Sequence, residues 1–205
     1  LRNYVFQNIP REQTDELFDD SWDPAQLKLV SESDPPTFLY EYLISIGESS
    51  KSGFSVKRTF PAFRRYIRSG RWPHDGPERW VTEHVHDAVT RFNYSKTPVG
   101  AFEQSARDIP IRLLEKRTLH RISRVSTAAR PLLMNLLDRL SAEGSSERSI
   151  SYEEFQECLT LSEAILLFSP ITGEKLTFVR PWLIRFIPML EETCLTDGDG
   201  TAGHK

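Results

Sequence analysis

Cysteine is nearly missing from this chain: Cys158 and Cys194 are the two in 205 residues. A small disulfide scaffold needs several bridges, so this pair reads as two reduced thiols and points to a cytosolic redox setting. Long apolar runs are also missing. The best candidates, 161–168 and 178–190, are short or interrupted by Arg180, Pro181, Arg185 and Pro188. Both fall below the roughly 18–20 residues a membrane-spanning helix requires. The opening residues, Leu-Arg-Asn-Tyr-Val-Phe-Gln-Asn-Ile-Pro, lack the apolar core of a signal peptide, so no secretory signal is expected in them. The ten glycines form no Walker A loop, and the G-x-G-x-x-G spacing occurs once, at Gly198–Gly203, in the polar stretch expected to be a tail rather than between a strand and a helix. No G-x-S-x-G elbow occurs either, and no nucleophile, histidine and acid stand in a recognisable order.

What is present suits a folded domain. Hydrophobic residues make up 39% and charged residues 27%, a globular balance, and a chain of this length removes roughly 70% of its surface from water on folding. The net charge of −3 hides an uneven distribution. Residues 1–50 carry −7, residues 51–130 carry +10 and residues 131–205 carry −6. A basic centre between acidic ends bears on partners rather than on fold.

Helical spacing dominates the pattern. Phe38, Leu39, Tyr42, Leu43 and Ile46 recur at helical intervals, with Gly47 suited to the position after the helix. Asp23-Pro24 offers a helix start with Asp as N-cap, leading through Leu27 and Val30. Phe60-Pro61 opens a helix with Phe63, Tyr66 and Ile67 on one side, and Gly70 ends it. Pro77 opens another carrying Trp80, Val81, His84, Val85, Ala88 and Phe92. Pro98 and Pro110 mark later starts, and Leu114, Thr118 and Ile122 share a stripe. Leu132, Leu133, Leu136, Leu137 and Leu140 follow. Ser151–Glu154 has the form of a capping box ahead of Phe155, Leu159, Ile165, Leu166 and Phe168. Strand candidates are limited to residues 5–6 and 176–179. The expectation is a mainly α fold: a compact multi-helix single domain with a short extended N-terminal segment. The organisation expected is an aromatic and acidic segment over 1–22, a helical core over 23–192 and a flexible tail over 193–205.

Few constellations suggest chemistry. His84, His86 and Asp87 form the densest group of potential ligands. On a helix, residues two apart diverge by about 200°, so the two histidines face different ways and only His84 with Asp87 shares a face. Asp197-Gly198-Asp199-Gly200 has a calcium-loop flavour without the twelve-residue frame or its final Glu. No metal, cofactor or catalytic residue is expected. Binding is better represented. Arg58, Arg64, Arg65, Arg68, Arg71 and Arg79 interleave with Phe60, Phe63, Tyr66, Trp72 and Trp80. Arginine among aromatics suits either a phosphate backbone with stacked bases or an acidic protein surface. Tyr4 and Phe6 precede the first helix and fall on one side of an extended segment. The partner-binding candidates are therefore Tyr4, Phe6, Phe60, Phe63, Arg64, Arg65, Arg68, Arg71, Trp72 and Trp80, although amphipathic packing of the aromatics accounts for the same pattern.

These residues also carry a family resemblance. Phe60-Pro61-Ala62-Phe63-Arg64-Arg65-Tyr66-Ile67, followed by Arg71-Trp72-Pro73-His74-Asp75-Gly76-Pro77, resembles the centre of phlebovirus-type NSs proteins, the small-segment non-structural proteins of phenuiviruses. The chain departs from that pattern by a few extra residues before Trp72 and by the spacing of Gly76-Pro77. Tyr4-Val5-Phe6 with Pro10, Tyr40-Glu41-Tyr42 with Ile46-Gly47-Glu48, Arg107-Asp108-Ile109 and the stretch 152–168 are similar to other family segments, in the same order. The resemblance implies a non-enzymatic, largely helical antagonist acting in the host cytoplasm, with the nucleus as a second compartment. It implies binding to host proteins of innate immunity or translation control, to block interferon induction or the translational stress response. Self-association is open to a helical chain with exposed aromatics, and an RNA-binding helical domain using the basic centre is the alternative.

Overall fold

The computed structural model describes residues 10–25, 35–48, 56–69, 80–96, 111–141 and 149–171, together with 181, 182 and 187. Almost all of these are helical and none lies in a strand. The elements are α1 (Arg11–Leu17) running into a π-helical turn (Phe18–Trp22), α2 (Pro35–Ser45), and a 3-10 turn (Val56–Arg58) leading into α3 (Thr59–Arg68). A second π turn (Trp80–His84) continues as α4 (Val85–Lys96). Then come α5 (Leu113–Val125), a 3-10 turn (Thr127–Ala129), α6 (Arg130–Ser141) and α7 (Tyr152–Ile171). The expected strands at 5–6 and 176–179 and the tail 193–205 lie outside the described residues.

Helix α2 is buried all round: every residue from Phe38 to Ser45 is out of solvent. Phe38, Leu39, Tyr42 and Leu43 enter an aromatic-rich cluster with Trp22, Phe63, Tyr66, Trp80, Val85 and Phe92. Tyr40 and Ile44 enter an aliphatic cluster built from α5, α6 and α7. The helix ends in a Schellman motif. Gly47 takes φ 77°, Glu48 N–H donates to the Leu43 carbonyl at 2.9 Å and Gly47 N–H to the Ile44 carbonyl at 3.0 Å. A left-handed residue is needed there, and glycine adopts it without steric cost.

Helix α6 is the second inner element, with Pro131–Leu137 buried without interruption. It packs on α2 and α4, giving Met134 to the aromatic cluster and Leu132, Leu133, Leu136, Leu137 and Leu140 to the aliphatic one. Asn135 Nδ2 donates at 2.7 Å to the Ser45 carbonyl, and Asn135 Oδ1 accepts from Arg139 Nε at 3.0 Å. The amide thus satisfies a terminal carbonyl that α2 leaves without an intrahelical partner. Glu41, buried on α2, pairs with Arg130 at 3.6 Å.

Helices α5 and α7 lie side by side. The Arg112 N–H donates to Tyr152 Oη, Gln156 donates to Glu115, and Arg121 grips Glu163. The partners advance in the same direction on both helices, so the two are parallel, and α6 is the return between them. The start of α7 carries the expected capping box. Ser151 N–H donates to Glu154 Oε2 at 2.7 Å, and Glu154 N–H donates to Ser151 Oγ at 3.2 Å.

Three expectations change. Asp23 does not cap a helix: its backbone is right-handed helical at φ −65°, ψ −45°, inside a helical run that begins at Arg11. The π widening falls just before Pro24, whose ring an α ladder would press against the carbonyl four residues earlier. The boundary at residue 22 likewise cuts a continuous helical run, because Trp22, Leu17 and Phe18 pack in the aromatic cluster. Leu114 is 66% exposed rather than part of a core stripe. The buried stripe of α5 is Glu115, Thr118, Leu119, Ile122 and Ser123.

Candidate partner-binding face

The amphipathicity of α3 sorts the central aromatic and basic residues into two populations. Thr59, Phe63 and Tyr66 occupy the buried side, with Phe63 at 0% exposure. Phe60, Pro61 and Arg65 are exposed, Arg64 is half-buried, and the exposed Lys57 and Arg58 extend this outer side from the preceding turn. Pro61 is tolerated because the first helical turn has no use for its missing N–H. The outer side is thus a basic face with one ring on it, Phe60, at 39% exposure.

Trp80 belongs to the other population. Its indole is fully buried at the centre of the aromatic cluster, 5.7 Å from Phe63, 5.8 Å from Tyr42 and 6.3 Å from Trp22 between ring centroids. The two π turns meet here, each contributing a tryptophan. Phe38 closes the cluster with an edge-on contact to Phe92 at 5.5 Å. Phe63 and Trp80 are therefore packing residues, not partner contacts, because helical spacing turns both toward α2. Burial pushes the Tyr42 hydroxyl up to about 12, outweighing the opposing hydrogen bonds from Trp80 and Tyr66.

Of the remaining candidates, Arg68 closes α3 but its side chain lies outside the described set, as do Tyr4, Phe6, Arg71 and Trp72. Phe60, Arg64 and Arg65 are therefore the candidates that the structure brings together on one face.

Sequence reasoning missed a second basic surface. On α5, Leu113, Arg117, His120 and Arg124 fall at i, i+4, i+7 and i+11, one line along the outer side. Leu113, Arg117 and Arg124 are exposed and His120 is half-buried. Leu114 and Arg121 flank that line. Arg121 Nη2 reaches Glu163 Oε2 at 3.1 Å and Thr118 Oγ1 at 3.0 Å, and the Arg112 guanidinium sits 4.8 Å above the Tyr152 ring. Five basic residues within 112–124 at helical spacing were the available signal.

Several buried polar groups find partners within the helices. For Glu115, burial alone raises the carboxyl, but hydrogen bonds from Gln156, its own backbone and Tyr152, with the Arg112 charge, hold it below the ordinary value. Ser45, Ser95, Ser123 and Ser162 are buried, and each hydroxyl donates to a carbonyl three or four residues earlier in its own helix. Asp87 is exposed and lies 3.9 Å from Arg91, which also reaches Asp138 at 2.8 Å. Among the described residues no group of His, Cys, Asp and Glu is arranged to hold a metal ion, and no helix is long and apolar enough to cross a membrane.

Comparison of the chain with protein-family models, curated protein sequences and solved structures finds no match.

Proposed function

We propose that this chain is a host-factor antagonist of the phenuivirus NSs kind, acting in the host cytoplasm by stoichiometric binding rather than by catalysis. Its target is a host protein of innate immunity or translation control. The observation that carries this reading is the outer face of α3, where Phe60 stands exposed among Lys57, Arg58, Arg64 and Arg65 while the neighbouring aromatics are buried. An aromatic anchor among cations suits an acidic protein surface with one apolar pocket. The order of the Phe60-Pro61, Trp72-Pro73 and Gly76-Pro77 motifs supports the family.

The test is affinity purification from host cells with quantitative mass spectrometry, comparing the wild type with a Phe60→Ala/Arg65→Glu double variant. A dominant stoichiometric partner retained by the wild type and lost by the variant, with an unchanged unfolding transition, is the expected result. Equal recovery by both proteins, or no stoichiometric partner, overturns the reading.

Single-stranded RNA is the second reading, favoured by the same Phe60 ring, which could stack a base between cations. It requires affinity that falls steeply with salt. No RNA binding at low salt removes it.

A further inference from the structure

We propose that the outer side of α5 is a separate docking surface, and that its occupant is an acidic protein segment carrying apolar anchors, such as a Glu-rich amphipathic helix with leucines. Two independent observations meet there. Leu113 and Leu114 are 65% and 66% exposed, adjacent in the first turn. Folded monomers leave single leucines exposed routinely, but two together mark a patch that gains from being covered. Directly along the helix from them stand Arg117 and Arg124, both exposed and neither engaged in an ion pair among the described residues.

The neighbouring charges show why these two arginines are available. Glu163 on α7 is held by Arg121, and Glu115 is turned inward to Gln156. Those two acids are thus already engaged, and the exposed charged residues of the line itself, Arg117 and Arg124, are both positive. It complements an acidic partner, which gains charge pairing at one end and burial of two leucines at the other.

The same features favour protein over nucleic acid. A phosphate backbone would satisfy Arg117 and Arg124 but leave Leu113 and Leu114 uncovered. Stacking needs an exposed ring, and the line Leu113, Arg117, His120 and Arg124 carries no Phe, Tyr or Trp, while Tyr152 is half-buried beneath the Arg112 guanidinium. The inference stands apart from the proposed function, since it uses none of the α3 residues and does not depend on the family resemblance.

The experiment uses the full chain and three fluorescent probes: a synthetic helical Glu/Leu peptide, the same peptide with Ser for each Leu, and single-stranded RNA. Binding is read by anisotropy at low and at physiological salt. The Glu/Leu peptide is expected to bind, and Arg117→Glu/Arg124→Glu and Leu113→Ser/Leu114→Ser are each expected to weaken it by about tenfold or more. Phe60→Ala/Arg65→Glu is expected to leave it unchanged. Absence of peptide binding, equal affinity for the leucine-free peptide, or stronger binding of RNA to the same residues overturns the proposal. So does concentration-dependent self-association that Arg117→Glu abolishes, which would place a second copy of the chain there. Circular dichroism of each variant confirms that a loss of binding is not a loss of fold.

Discussion

Trp80 Nε1 donates to the Tyr42 hydroxyl at 3.0 Å inside the aromatic cluster, joining the second π turn to the inner helix α2. Tyr42→Phe removes the acceptor and leaves a buried indole N–H without this partner. The expected cost is about 1–3 kcal/mol, measured by urea unfolding.

The same hydroxyl sets an alkaline limit. Its value in the folded protein, about 12, lies above the unfolded value of 10.0. Its contribution to stability is complete below pH 10 and is lost as pH rises through 12, because the unfolded state ionises first. Ultraviolet titration of the wild type against Tyr42→Phe should assign to Tyr42 an ionisation near 12, and the substitution should flatten the decline in stability between pH 10 and 12.

Phe60 and Phe63 are three residues apart and should behave oppositely. Phe63→Ala opens a cavity in the core and should cost about 3–5 kcal/mol. Phe60→Ala removes a ring already 39% exposed and should cost about 1 kcal/mol or less. Thermal melts of the two variants decide it.

Asn135 joins α6 to the end of α2. Asn135→Leu keeps the approximate volume but withdraws the donor from the Ser45 carbonyl and the acceptor from Arg139. A loss of about 1–3 kcal/mol is expected, with faster hydrogen exchange at the C-terminal turn of α2.

The capping box at α7 gives an acid-side prediction. The backbone N–H and hydroxyl of Ser151 hold the Glu154 carboxyl below its ordinary 4.5. A depressed carboxylate stabilises the fold above that value, and the contribution fades as pH falls through the lower folded one. Ser151→Ala should cost about 1 kcal/mol at neutral pH, and Glu154→Gln should reduce the change in stability between pH 5 and 3.

Much of the helical architecture was legible because its signals are local. The leucines of α6, the Gly47 terminus and the Ser151–Glu154 cap each need only a few neighbouring residues to be recognised. The candidate site was half legible. Spacing leaves Phe60 and Phe63 only about 60° apart on a helix, so which of the two is covered depends on α2, and that is a long-range fact. The Trp80 contact to Tyr42 spans 38 positions, and no window of the sequence displays it. The exposure of Leu114 escaped for the converse reason. A leucine at helical spacing looks like core, and only the buried Glu115 and its Gln156 partner reveal that α5 is rotated to hide an acid and show a hydrophobe. The π turn before Pro24 had no sequence signal beyond the proline.

Helix α2 divides its side chains between the two hydrophobic clusters. Neither half of the interior can be assembled without those eleven residues, so the described core should melt in one cooperative transition. Deletion mapping would then mislead. A truncation ending before residue 35 spares α2, while one reaching residue 48 should collapse the α3 and α5 faces together, though neither face lies in the deleted stretch. Point substitutions on the outer sides of α3 and α5 are therefore the way to test the two proposed binding faces separately.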